Sequence, residues 1–194
     1  METSISFWKP GFKKTIGLIL IYNQSVKQTL VILRGAPASG KTTIGENLRD
    51  FDKKIVWFKT DNIKPFFSDF EDRTIDAVME TALVTLNYLL DEGYCVVYDG
   101  IFKNPRYAVR AIEMGKAKNI PTVIYQLTCS LKTLQQRDKT RRGVRKGCRK
   151  PLGDKIIESL FEKIENNPIE EAVKLNTEEK SLEECLEIIK RNFE

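Results

Sequence analysis

Eight consecutive residues, Gly35-Ala36-Pro37-Ala38-Ser39-Gly40-Lys41-Thr42, match the pattern G-x-x-x-x-G-K-[ST] at every constrained position. The chemistry such a stretch serves is the capture of a phosphate tail. Anionic phosphate oxygens need many donors at once, and glycines let backbone N–H groups curl around them while a helix N-terminus turns its positive end inward. Gly35 to Thr43 are therefore expected to cradle a nucleotide, with Lys41 reaching the β- and γ-phosphates and the Thr42 hydroxyl on Mg²⁺. The context agrees. Thr29 to Leu33 is an apolar run rich in strand formers, and Thr43 to Arg49 lacks proline and carries Ile44 and Leu48 on one helical face.

Two carboxylates stand where such a loop needs them. Asp61 follows the expected strand Lys54 to Lys59, in which Ile55-Val56-Trp57-Phe58 is an apolar run, and lies 20 residues after Lys41. At a strand's carboxyl end, the ligand edge of an open parallel sheet, it can accept a proton from a substrate hydroxyl. It can equally cap the short turn that begins at Asn62, and both readings stay open. Asp99 ends the run Tyr94-Cys95-Val96-Val97-Tyr98, the Walker B pattern in which a carboxylate holds Mg²⁺ directly or through water. The chain contains no histidine, which excludes His-based general bases, Ser-His-Asp and Cys-His nucleophiles, and His-ligated metals.

Positive charge is concentrated in one place. From Arg137 to Lys150 there are eight Lys/Arg against one acid, a net of +7 within a chain whose total is +5, so the remainder is −2. A local cluster suits a compact anion. Arg137 and Arg141 are four apart, hence neighbours on one helix face, and like charges so placed call for an anion nearby or for spreading into water. We read residues 137 to 152 as a basic lid over the phosphates; a solvated loop and a nucleic-acid patch are the other readings. Arg106 and Arg110, on the opening turns of a helix announced by Asn104-Pro105, and Arg142 in the basic segment are further candidates for an anionic substrate.

These residues need elements to hold them. Apolar periodicity predicts a core helix from Ile75 to Leu90, strands near Pro121 to Thr128 and Glu171 to Asn176, a helix from Asp154 to Glu165 stopped by Pro168, and a terminal helix opened by the capping box Ser181-Leu182-Glu183-Glu184. At 194 residues one α/β domain is expected, spanning 28 to 194, with 1 to 27 as an extension or extra edge strand. The apolar run Ile16 to Tyr22 is too short to span a bilayer, and no small-residue cleavage site follows it. Cys95, Cys129, Cys148 and Cys185 form no C-x-x-C pair and read as reduced structural thiols. A cytoplasmic location without membrane partners is the expectation. Oligomeric state is not legible.

In this order, Gly35 to Thr42, Asp61, Asp99 and the Arg137/Arg141 pair resemble the small P-loop kinases, and most nearly the group holding the kinase domain of polynucleotide kinase, zeta toxin and chloramphenicol phosphotransferase. The resemblance runs from about residue 28 to residue 194 and implies an α/β P-loop NTPase fold. Its sheet would have five parallel strands in the order 2-3-1-4-5, flanked by helices. It further implies that Asp61 is the base toward the acceptor hydroxyl, and that Arg137 and Arg141 contact the adenine and the transferring phosphoryl. The expected activity is transfer of the γ-phosphoryl of ATP, with Mg²⁺, to a hydroxyl of a small-molecule or nucleotide-like acceptor. A polynucleotide 5′-hydroxyl is the alternative acceptor, and a nucleotide-binding switch without transfer is the alternative class. No N-K-x-D motif is present to read guanine, and the stretch Ile63 to Asp72 matches no single substrate class.

Overall fold

β1, Leu30–Gly35, is buried at every position, as expected of a strand with a neighbour on each side and helices on both faces. In the computed structural model, which describes residues 26–68, 72–141 and 150–194, β1 is the middle of a five-stranded sheet of order β2-β3-β1-β4-β5. Its partners are β2 (Ile55–Lys59), β3 (Cys95–Gly100), β4 (Thr122–Thr128) and β5 (Val173–Asn176), and every pairing is parallel. Parallel neighbours need crossovers. These are α1 (Lys41–Arg49), α2 (Asp72–Asp91), α3 (Arg106–Ala117), and α4 (Leu131–Lys139) with α5 (Asp154–Glu165), while α6 (Leu182–Lys190) closes the chain.

Alternation along β1 sorts the core into two layers. Leu30 and Ile32 pack with Val78, Ala82 and Leu86 of α2 and Ala108 and Ala111 of α3. Val31 and Leu33 face the other way, onto Ile44 and Leu48 of α1 and Cys185 and Ile189 of α6. A smaller cluster of Cys129, Leu134, Ile157 and Ile164 joins α4 and α5.

Arg34, fully buried in β1, ties this third cluster to the sheet. Its guanidinium donates to Gln126 Oε1, to Phe102 O at 3.3 Å and to Asn167 O at 2.6 Å, just beyond the C-terminus of α5. Burial pushes its pKa down, and the Glu165 carboxylate opposes that shift. A cation at the carbonyl end of a helix also complements the helix dipole.

Several boundaries move from their sequence expectations. α1 starts at Lys41 rather than Thr43, so the Lys and Thr of the phosphate loop already belong to the helix. Pro105, not Asn104, takes the N-cap of α3, although Asn104 Oδ1 still accepts the Arg106 N–H at 3.1 Å. α4 stops at Lys139 and Thr140 is its C-cap, with the Thr140 hydroxyl donating to Arg137 O at 2.9 Å. Arg141 thus lies past the helix end and does not share a helical face with Arg137, which corrects that part of the reading. The capping box at Ser181 forms as expected, with both reciprocal hydrogen bonds. Residues 1–25, most of the extension, and 142–149, half of the expected lid with Arg142 and Cys148, lie outside the described residues.

Candidate active site

The phosphate loop is held in shape by two glycines. Gly40 has φ 97°, in the left-handed region that a side chain disfavours. At Gly35 a Cβ would lie 2.7 Å from Ser39 Oγ and 2.8 Å from Leu127 O, so the loop can close onto β4 only without one. Ala38, with φ 69°, adopts the same region at some cost in strain. Within the turn Lys41 is nearly buried, and its Nζ donates to Gly35 O at 2.7 Å and Ala36 O at 2.9 Å. Burial lowers the Lys41 pKa; the carboxylates of Asp99 and Asp61 act in the opposite direction.

The loop and the start of α1 form one wall of a cavity of about 550 Å³, a size suited to a nucleotide. Pro37, Ala38, Gly40, Lys41, Thr42 and Thr43 line that wall, and Lys59, Asp61, Asp99, Arg137 and Arg141 line the rest with Thr177 and Lys180 among others. Sheet register explains the convergence. Lys59 pairs with Asp99 and Leu33 pairs with Asp99 from the other side, so the ends of β2, β3 and β1 open together at one edge.

Asp99 is 4 % exposed and accepts the Trp57 indole N–H at 3.3 Å through Oδ2. Burial raises its pKa above the usual carboxylate range, while the ammonium groups of Lys41 and Lys59 and the indole hydrogen bond favour the ionised form. The Thr42 hydroxyl and the Asp99 carboxylate, both at the cavity wall, are hard oxygen donors. That set fits Mg²⁺, which keeps waters and is usually bound by one or two carboxylates plus substrate phosphates. Among the described residues no group of three or more His, Cys, Asp or Glu gathers as a metal cage. Phosphate oxygens and water would complete the shell.

Asp61 is the middle residue of a 3-10 turn, Thr60–Asn62, and pairs with Lys64, Nζ to Oδ1 2.6 Å. The turn begins two residues earlier than the sequence suggested. Its N-cap position falls on Lys59, so Asp61 stands inside the turn and faces the cavity. Arg137 is fixed from beyond β5, donating to Thr177 O at 2.7 Å and Thr177 Oγ1 at 3.1 Å. Arg141 has its Nη1 3.4 Å from Oδ1 of the buried Asp138, whose Oδ2 accepts the N–H groups of Leu152 and Gly153 at 2.8 and 3.0 Å.

Arg106 and Arg110 do not line the cavity. Arg106 pairs with Asp76 at 2.8 Å and Arg110 forks onto Glu80, so the two arginines, spaced i, i+4 on α3, meet two carboxylates of the same spacing on α2. Sequence reading missed Lys59, Trp57, Asp138, Thr177 and Lys180. The two lysines each sit beside a recognised signal, the Asp61 turn and the Ser181 capping box, and those positions were the available clue. Thr177, Trp57 and Asp138 reach the site only through tertiary pairing.

The sequence model of the zeta toxin family matches residues 19–192. The chain belongs to the zeta toxin family. It is thus a P-loop kinase by family, and solved structures agree in fold. A gluconokinase from Sinorhizobium meliloti 1021 is similar at a TM-score of 0.58 and 15 % identity, over 85 % of this chain and 91 % of that one. Kti12 from Chaetomium thermophilum, in complex with ADP-AlF3, is similar at a TM-score of 0.64 and 14 % identity, over 85 % and 99 %. A chain of the Pnkp1/Rnl/Hen1 RNA repair complex aligns at a TM-score of 0.59 and 17 % identity, over 75 % of this chain but 46 % of its own. At these identities the likeness speaks for the fold. No curated protein sequence matches. Among the described residues no helix is long and apolar enough to cross a membrane.

Proposed function

We propose that this zeta toxin family member transfers the γ-phosphoryl of ATP to a hydroxyl of a small-molecule or nucleotide-like acceptor. The observation that carries the reading is the sharing of one cavity by the phosphate loop, the Asp61 carboxylate, the Asp99 carboxylate and the two arginines. Kti12, similar in fold, was captured with ADP-AlF3, which supports a nucleotide in the equivalent cradle here.

Each residue has a task set by its position. The N–H groups at the start of α1 and the Lys41 ammonium hold the phosphate tail, and Lys41 exchanges its carbonyl partners for phosphate oxygens. Asp61 orients the acceptor hydroxyl and takes its proton, since no histidine exists to do so. Arg137, locked by Thr177, and Arg141 neutralise charge on the transferring group, whose loose transition state leaves the protein mainly to position and neutralise. Mg²⁺ bound between Thr42, Asp99 and the phosphates would supply further neutralisation.

The test is incubation with γ-labelled ATP and a panel of acceptors: sugars and sugar acids, nucleosides, nucleotide-linked alcohols, and oligonucleotide 5′-ends. Label in a small-molecule alcohol supports the reading. Label confined to oligonucleotides would favour the polynucleotide alternative, for which the fold shared with a chain of the RNA repair complex speaks. Label found only in inorganic phosphate would remove the transferase reading and leave a nucleotide switch.

A further inference from the structure

Trp57 sits in β2 on the same sheet face as Asp99, and three contacts converge on its indole. The ring N–H donates to Asp99 Oδ2 at 3.3 Å. Lys59 Nζ lies 5.0 Å from the ring centroid, and the Arg49 guanidinium lies 5.8 Å from it. From α1, Gly45 touches the pyrrole edge so closely that a Cβ there would fall 2.2 Å from Trp57 Nε1 and 2.5 Å from Cδ1. No rotamer change of a terminal atom relieves such an overlap, because the indole is rigid. A methyl at 45 must therefore move the ring whose N–H reaches Asp99.

Resting on the metal role assigned to Asp99 above, we propose that Trp57 is a positioning residue for that carboxylate, and that Gly45 is the vacancy that lets it act. Asp99 is buried, where an unpaired carboxylate would be costly and free to rotate toward Lys41 or Lys59. One hydrogen bond from a rigid, two-sided ring holds it in a single orientation. The same ring supports Lys59, a cation at the cavity wall, by a cation–π contact. Outer-shell donors of this kind typically change metal affinity 10- to 100-fold when removed.

The experiment measures binding of a fluorescent ADP by anisotropy, in EDTA and across a Mg²⁺ titration, for the wild type, Trp57→Phe and Gly45→Ala. Phenylalanine keeps an aromatic face but has no N–H. Both variants are expected to need about 10-fold more Mg²⁺ to reach half of the metal-dependent gain, with metal-free affinity within about 2-fold of wild type. An unchanged Mg²⁺ midpoint in Trp57→Phe overturns the proposal, as does an equal loss of affinity in EDTA, which is what a merely structural role would give. If Gly45→Ala fails to fold, Trp57→Phe decides alone. A wild type whose nucleotide binding ignores Mg²⁺ would instead contradict the metal assignment itself. A second readout uses intrinsic fluorescence: the chain has two tryptophans, so in a Trp8→Phe background Trp57 reports alone. Adding Mg²⁺ to the nucleotide-loaded protein should shift its emission, and no shift would count against the contact.

Discussion

Lys59 and Asp99 are register partners across β2 and β3, so a cation and a carboxylate leave the sheet side by side at the cavity edge. Lys59 thereby adds positive potential where the phosphates would lie. Lys59→Met removes that charge and keeps the apolar stem, so ATP affinity should fall about 5- to 10-fold, with a weaker dependence on salt than in the wild type. Titrations at two ionic strengths read both effects.

Arg137 is held as a fork, two donors on Thr177. Lysine carries the same charge but cannot reproduce that planar grip. Arg137→Lys should lower kcat about 100-fold while nucleotide affinity changes by only a few-fold, because misplaced charge is felt most in the transition state. Steady-state kinetics with the acceptor found by the panel separate the two quantities.

Arg34 offers a test of stability rather than activity. Arg34→Met removes the charge but strands Gln126 and the carbonyls of Phe102 and Asn167, all buried or partly buried acceptors. Unsatisfied groups of this kind cost about 1–3 kcal/mol each, and part of that is recovered by solvent entry at the α5 terminus. A net loss of about 2–4 kcal/mol is expected, read as a lower Tm or a lower denaturant midpoint at constant m.

Much of this arrangement was legible in the residues because local chemistry dictates it. The phosphate loop, the apolar strands and the Ser181 capping box announce themselves within a few positions of sequence. Asp61 and Asp99 were found because strand ends are marked by the switch from apolar to polar. What escaped were pairings across long separations. Nothing near Arg106 in sequence says that Asp76 will be its partner, and nothing near Arg137 points to Thr177. The end of α4 was missed for a different reason: Thr140 is an unremarkable helix residue until its hydroxyl turns back to Arg137 O. At Gly45 it is the indole packed on it, 12 residues away in sequence, that leaves a side chain no room.

Burial sets the behaviour of three thiols. Cys95, Cys129 and Cys185 are buried, and that desolvation pushes each thiol pKa up. Less thiolate is then present at pH 8 than for a free cysteine, so alkylation of these three by iodoacetamide should be slow in the native protein and fast in urea. Peptide mapping of the labelled chain gives the rates site by site.

Asp61 bears the central claim, because a kinase acting on a hydroxyl needs a group at the acceptor edge to take the proton, and Asp61 shares the cavity with Lys41 and Asp99. The decisive measurement is turnover and ATP affinity for Asp61→Asn, which preserves size and hydrogen bonding but accepts no proton. Turnover should fall about 10²- to 10⁴-fold with ATP affinity nearly unchanged. An Asp61→Asn protein that turns over at close to the wild-type rate would contradict the account.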